Sequence, residues 1–300
     1  MSLPLLTPNT IIVGKWNKNS YKIVKKLGEG GVGAVYQITN MADNKRYALK
    51  LSEDNISINR EYGLLQELDG IHIIVNCYEI DDLEMNSKIY HFIVIEYIHG
   101  TTLNKYRKNK KITTVEALGI AIILLKFMGE LHEKGYILGD AKLDNIMVNN
   151  EGKIIRFIDL GGVVRIGATI KEFTPAYDRA SWQCGDRISE VSYDLFSATM
   201  ILIQLLLEID LHPKKQSAFK IKERLNCMNS NMELKKNIID VMDGKKKNAK
   251  DFANTILNLY NKERELERTR KIKSTDNKIN LYFFGSLTLL ISTIWIILFK

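Results

Sequence analysis

The sequence predicts an α+β protein of two lobes with a cleft between them, followed by one C-terminal helix of membrane-spanning length. Three observations lead there. Apolar residues recur with a period near two through most of the first hundred positions, then take a helical period after Gly100. A short stretch, Glu96-Tyr97-Ile98-His99-Gly100, separates the two regimes as a hinge. The run from Leu281 to Phe299 carries no charge, and at 1.5 Å rise it reaches about 28 Å, close to the hydrocarbon thickness of a bilayer.

In chain order, a lead-in over residues 1–20 has neither the basic flank nor the apolar core of a signal peptide. Tyr21 to Leu27 alternates like a half-buried strand and runs into Gly28-Glu29-Gly30-Gly31-Val32-Gly33, after which Ala34 to Thr39 continues as a strand. A glycine-rich turn between strands lets backbone N–H groups approach phosphate oxygens, whereas a dinucleotide fingerprint would open a helix. Tyr47 to Leu51 is a third strand carrying Lys50. Within Asn59 to Leu68, helical spacing puts Glu61, Leu64, Leu65 and Leu68 on one face, so Glu61 can turn inward to Lys50. Ile73 to Tyr78 and Ile89 to Ile95 complete a β-rich lobe over 21–96.

The second lobe spans 101–259. Val115 to Gly135 places Leu118, Ala121, Ile122, Leu125, Met128 and Leu131 at helical spacing. Ser192 to Ile209 is another apolar helix, with Asp194 in its first turn where a carboxylate suits the helix N-terminus. Beyond Pro213 the chain is helical and lysine-rich to about Leu259. A charged segment over 260–280 then precedes the uncharged run 281–299.

With 45% hydrophobic residues in 300, a core of this size needs no disulfides. The three widely spaced cysteines, Cys77, Cys184 and Cys227, read as free thiols and exclude a disulfide framework or a zinc site. The net charge of +8 gathers at Lys105, Arg107, Lys108, Lys110 and Lys111, at Lys245 to Lys247, and at Arg264, Arg268, Arg270, Lys271, Lys273 and Lys278. Basic residues beside the apolar run put the main domain on the cytoplasmic face as a tail-anchored protein. These tracts suit anionic lipid headgroups or DNA, and equally a solvated face; Glu263, Glu265 and Glu267 weaken the nucleic-acid case.

Chemistry concentrates in Leu138-Gly139-Asp140-Ala141-Lys142-Leu143-Asp144-Asn145, followed fourteen residues after Asn145 by Asp159-Leu160-Gly161. Each group adjoins a short apolar run. A base, a cation and two oxygen ligands on one edge are what phosphoryl transfer requires, because catalysis there is mostly positioning and charge neutralisation.

Taken together, these residues resemble a bacterial Hanks-type Ser/Thr protein kinase over Tyr21 to Leu259. The resemblance implies the bilobal protein-kinase fold, ATP and Mg2+ (or Mn2+) as cofactors, and protein Ser/Thr as acceptor. It implies that Gly28, Glu29, Gly30, Gly31 and Gly33 cover the nucleotide phosphates, with Val35, Ala48, Ile95, Glu96, Ile98 and Met147 around the base. Lys50, paired with Glu61, would hold the α- and β-phosphates. Asp140 would act as base and Lys142 would stabilise the transferred group, while Asn145 and Asp159 would hold the metal. Lys142 separates the chain from small-molecule phosphotransferases. Gly14-Lys-Trp-Asn, Gly139-Asp140, Asp159-Leu-Gly-Gly162, Tyr177-Asp-Arg179 with Trp182 and the bare tail anchor are similar to the YabT-like kinases of sporulating bacteria.

The chain departs from the family at Leu138-Gly139, where His-Arg is usual, and at Leu160, where Phe is usual. Leu65, Leu138 and Leu160 can still pack as an apolar spine. Without the arginine, a phosphate on the segment Gly162 to Phe173, whose one hydroxyl is Thr169, lacks its bidentate partner, so activity is expected without phosphorylation there. Ala180-Ser181 stands where Ala-Pro-Glu is usual, and the arginine its glutamate would meet, near Lys246, is absent. The competing reading is a pseudokinase that binds nucleotide as a scaffold. The sequence names neither substrate nor oligomeric state.

Overall fold

Alternating burial builds the first lobe. In the computed structural model of the chain, β1 (Ile11–Val13), β2 (Ser20–Glu29), β3 (Ala34–Asn40), β4 (Arg46–Ser52), β5 (Cys77–Met85) and β6 (Lys88–Glu96) form one antiparallel sheet. Its strand order is β1-β2-β3-β4-β6-β5. The structure describes the chain except residues 1–2, 31–32, 150, 153, 246–247 and 299–300, and except the side chains of 271, 274–278, 280–281, 287, 290–294 and 296–298. Tyr21, Ile23, Tyr36, Ile38, Leu49, Leu51, Phe92 and Val94 pack on one face of the sheet. Each such side chain, fully buried, contributes about 1.5–3 kcal/mol. Helix α1 (Asn55–Glu67) lies between β4 and β5, and the Asp54 carboxylate caps it by accepting from Ile56 N–H at 3.0 Å and Ser57 N–H at 3.2 Å.

Two segments of this lobe differ from the sequence expectation. Ile73 to Tyr78 is not one strand. Phe157 N–H bonds to Ile73 C=O at 2.6 Å and Val75 N–H to Phe157 C=O at 3.2 Å, so this segment ties the first lobe to the second. The strand instead begins at Cys77 and runs through the acidic stretch to Met85, with Glu79, Asp81 and Leu83 facing inward. Charged residues on the inner face hid the alternation.

The lead-in explains those inward acids. Asp81 is only 3% exposed and accepts from Trp16 N–H at 2.9 Å, Asn17 N–H at 2.8 Å and Asp82 N–H at 2.7 Å. Glu79 takes Asn19 Nδ2 and the Tyr21 hydroxyl, each at 2.6 Å. Gly14-Lys-Trp-Asn is therefore a hook on β5, and β1, beyond it, adds the edge strand.

The second lobe is helical around α4 (Val191–Leu207), which is buried on nearly every side, as its continuous apolar sequence requires. Helices α2 (Leu103–Asn109) and α3 (Thr114–Glu133) precede it; α5 (Ala218–Cys227), α6 (Met232–Met242) and α7 (Ala249–Leu298) follow. A capping box of Thr113 and Glu116 starts α3. The short strands β7 (Gly100–Thr102), β9 (Ile146–Asn149) and β10 (Ile155–Phe157) form a small sheet, and β8 (Tyr136–Ile137) pairs with β11 (Val164–Arg165).

Phe252, Ala253, Ile256 and Leu259 pack α7 into the lobe, and Lys262 reaches Glu233 at 2.8 Å. Its backbone stays helical to Leu298, so the charged segment and most of the apolar run belong to one helix. Among the described residues no helix is long and apolar enough to cross a membrane. Much of the run from Leu281 to Phe299 falls on side chains outside the description, and Phe299 lies outside it altogether.

Asp81→Ala would leave three part-buried backbone donors, from Trp16, Asn17 and Asp82, without their acceptor. It is expected to lower unfolding stability by about 1–3 kcal/mol, read by denaturant titration.

Candidate active site

The hairpin β9–β10 carries the central stretch. Ile146 pairs with Phe157, and Ile158 N–H donates to Asn145 C=O at 2.9 Å, so register brings Asn145 beside the end of β10 that leads into Asp159. A single 3₁₀ turn, Leu143–Asn145, folds the chain back so that Asn145 Nδ2 meets the Asp140 carbonyl at 3.4 Å. Asp159 spends Oδ1 on both Lys50 and Gly161 N–H, which leaves its second oxygen outside those bonds. Among the described residues no cluster of three or more His, Cys, Asp or Glu could hold a metal. An amide oxygen and one carboxylate nonetheless fit Mg2+, a hard cation that takes few protein ligands and completes its shell with phosphate and water.

On the opposite lobe, β4 presents Lys50 and α1 presents Glu61. Lys50 Nζ lies 2.6 Å from Glu61 Oε2 and 3.1 Å from Asp159 Oδ1, bridging the lobes. Burial disfavours the ammonium, but the two carboxylates more than offset it and hold the Lys50 pKa above the ordinary lysine value. Burial pushes the Glu61 carboxyl upward against the pull of Lys50. For Asp159 burial acts in the same direction, yet Lys50, the Gly161 N–H and Lys142 outweigh it and keep the carboxyl below its usual range. Helix α1 is held from a second side by Arg60, whose guanidinium donates to the Val163 carbonyl.

Asp140 is 7% exposed. Its Oδ2 pairs with Lys142 Nζ, and its Oδ1 accepts the Thr174 hydroxyl at 2.7 Å. The backbone before it is fixed from α4. Asp194, fully buried, accepts Leu138 N–H at 2.7 Å and Gly139 N–H at 3.1 Å, with His132 Nε2 at 2.9 Å. Asp194 is thus more than a helix-start carboxylate. It, His132 and Thr174 are site residues that sequence reasoning missed, because their partners are far away in the chain.

Gly139 has a physical reason of its own. Asp140 N–H bonds to Leu138 C=O at 2.8 Å, closing a three-residue turn with Gly139 at φ +73°. A Cβ on Gly139 would lie 2.3 Å from the Gly162 carbonyl oxygen, and one on Gly162 would lie 2.6 Å from Asp140 Cβ. The two glycines let the loops bearing Asp140 and Asp159 touch backbone to backbone. Leu65, Leu138 and Leu160 all lie in the main core.

The remaining expected residues divide. Gly30 and Gly33 close a tight hairpin through reciprocal backbone bonds at 2.9 and 3.4 Å, with Gly28 opposite Val35; Gly31 lies outside the described residues. Glu29 pairs with Lys26 at 2.5 Å. Ala48 faces Ile95 across β4–β6, and Val35 and Met147 pack half-buried on the main core. Glu96 N–H is taken by Asn76 C=O at 2.8 Å and its side chain by Asn76 and Arg156, so the Glu96 N–H is not free for a ligand at the hinge; Ile98 is buried beside it. Part of the basic tract is countered locally. Arg107 pairs with Asp210, Lys110 with Glu116 at 3.3 Å, Lys111 with Glu208 at 3.4 Å and Lys245 with Asp240 at 3.1 Å. Lys246 and Lys247 lie outside the described residues.

Residues 21–269 match the family model described as the protein kinase domain. Over 276 residues the chain is 33% identical to the serine/threonine-protein kinase YabT of Bacillus subtilis, covering 90% of this chain and 80% of that protein. It is 30% identical over 154 residues to a probable serine/threonine-protein kinase of Clostridium perfringens, covering 50% of this chain and 22% of that protein. Against the probable kinase PknB of Lactococcus lactis the figures are 26% over 211 residues, 65% and 33%.

Gly139→Arg, which restores the residue usual at that position, is expected to drive the two loops apart. Turnover should fall by roughly 10²-fold, as misplacement of reacting groups by about 1 Å does, and steady-state kinetics would check it.

Proposed function

The chain belongs to the protein kinase family as a serine/threonine kinase of the bacterial Hanks type, similar to YabT, and on that premise we propose how its residues divide the work. ATP is the phosphoryl donor and a protein Ser or Thr hydroxyl the acceptor. Gly28, Gly30 and Gly33 lie over the phosphates, and the adenine sits among Val35, Ala48, Ile95 and Met147, addressed by the backbone from Glu96 to Ile98. Lys50, fixed by Glu61, binds the α- and β-phosphates. Asp140 takes the hydroxyl proton as its oxygen bonds to the γ-phosphorus, the bond to the β-phosphate oxygen breaks, and ADP leaves. Lys142 steadies the charge on the group in transit. Mg2+, with Mn2+ as a substitute, would be held by Asn145 and Asp159 and would neutralise phosphate charge.

The observation that carries this reading is the bond from Thr174 Oγ1 to Asp140 Oδ1 at 2.7 Å. The carboxylate accepts a hydroxyl of the same chemistry as the substrate's, at a distance suited to general base catalysis. Transfer proceeds without phosphorylation of Thr169. Supporting this, the segment bearing that exposed residue is already tied down by Gly167 N–H to Ser189 C=O and Ile166 N–H to Gly135 C=O, both at 2.9 Å. The uncharged run Leu281 to Phe299 anchors the chain in the bacterial membrane, with the kinase domain on the cytoplasmic face.

Full-length protein in detergent micelles, given radiolabelled ATP, Mg2+ and myelin basic protein, is expected to label Ser or Thr. Asp140→Asn should reduce that by about 10³-fold and Thr169→Ala by less than about twofold. ATP binding without transfer in the unaltered chain would instead favour a nucleotide-binding scaffold. In membranes, the full chain should stay in the pellet after alkaline carbonate extraction, and a chain ending at Asn280 should be released; retention of both would refute the anchor.

A further inference from the structure

The turn that follows the short activation segment is held at both ends by one guanidinium. Tyr177 N–H bonds to Thr174 C=O at 2.9 Å, making a compact turn whose Thr174 hydroxyl rests on Asp140. Behind it, the Tyr177 carbonyl accepts Ser197 Oγ at 2.9 Å and its hydroxyl reaches Gln204 Oε1 at 2.6 Å, so α4 supports the turn from below. Phe173 stands immediately before the turn and Asp178 immediately after it. Arg187 meets both. Its guanidinium lies 3.4 Å from the centroid of the Phe173 ring, and its Nε and Nη2 reach the two Asp178 oxygens at 3.1 and 2.7 Å.

Asp178 is fully buried and gathers further donors: Ser181 N–H at 2.9 Å, Ser181 Oγ at 2.6 Å and the Tyr193 hydroxyl at 3.0 Å. Burial alone would raise its carboxyl pKa, but Arg187, Ser181 and Tyr193 hold it below the usual range. The neighbouring Arg179 is committed elsewhere, to Glu190 at 2.8 Å and Ser192 Oγ at 2.5 Å. Ser181 thus caps Asp178.

We propose that Arg187 is a positioning residue for the acceptor protein: it clamps Phe173 to Asp178 across the turn Thr174–Tyr177, keeps Thr174 on Asp140, and so sets where an incoming Ser or Thr chain lies. A planar, fork-shaped cation can stack on a ring and bind a carboxylate with two donors at once; a lysine ammonium, a point charge, cannot. The clamp touches neither the glycine-rich hairpin nor Lys50. Its loss therefore acts on the acceptor and not on ATP. This inference rests on Asp140 being the base, and absence of transfer by the unaltered chain would refute that reading first.

The test compares the full-length chain with Arg187→Lys, Phe173→Leu and the double variant, using myelin basic protein as acceptor and melting temperature as a check on folding. Phe173 is about one-third exposed, so its leucine variant leaves the fold in place even if Arg187→Lys does not. Arg187→Lys and Phe173→Leu should each raise KM for myelin basic protein by about 10-fold while KM for ATP stays within about twofold. The double variant should be no worse than the weaker single variant, because both remove the same contact. Equal changes in both KM values, no change in either, or effects that simply multiply in the double variant would overturn the clamp.

Discussion

Asp194 is the point on which the catalytic geometry hangs. A fully buried carboxylate in the central helix α4 receives two consecutive backbone N–H groups, from Leu138 and Gly139, and stands against His132 on α3. Two adjacent amides on one carboxylate fix the direction of the chain, not merely its position. The three-residue turn at Gly139 then follows, and it sends Asp140 toward Lys142 and Thr174. Because α4 is enclosed on nearly every side, the brace is as rigid as the core itself. A buried charge is tolerated here because charge-assisted hydrogen bonds satisfy it.

How much of this was legible in the sequence follows from the range of each interaction. Strands β2, β3, β4 and β6 and helices α1, α3 and α4 came from local periodicity, which burial on one face imposes. Strand β5 did not, because Glu79 and Asp81 point inward and break the apolar alternation. Their partners, Trp16, Asn17, Asn19 and Tyr21, lie about sixty residues earlier, and nothing in a window around Glu79 announces them. At the site, Lys50, Glu61, Asp140, Asn145 and Asp159 were legible because their spacing is characteristic. Thr174, His132 and Asp194 were not, since their roles exist only through contacts across 34, 62 and 56 positions. Gly139 was legible as a departure but not as a requirement. The reason lies in its φ of +73° and in the carbonyl of Gly162, lodged where its Cβ would be.

The charge distribution makes a related point. A net charge of +8 suggests a surface offered to anions, yet Arg107, Lys110, Lys111, Lys245 and Lys262 each have an acidic neighbour within 4 Å. Apart from Arg107, whose side chain is largely buried, these lysines are exposed, and such pairs contribute little stability and are screened by salt at modest ionic strength. What they do is lower the local potential, so net charge alone overstates the attraction for phosphate. The pair Lys50–Glu61 is a different case. It is buried between lobes and shared with Asp159, so it couples the position of α1 to the position of the β10 end.

Gly139, Gly162 and Arg187 together describe one strategy. Where the family resemblance leads one to expect long-range pairings, an arginine reaching a phosphate and a glutamate reaching a distant arginine, this chain uses contacts between near neighbours in space that its own segment supplies. Backbone touches backbone at Gly139 and Gly162, and Arg187 closes a turn nine residues before it on Asp178. Short loops lose less conformational entropy on closing than long ones, so such contacts cost less to form. The same economy holds along the segment, where Ile166 N–H meets Gly135 C=O and Gly167 N–H meets Ser189 C=O, so its middle is fixed by backbone bonds to neighbouring loops.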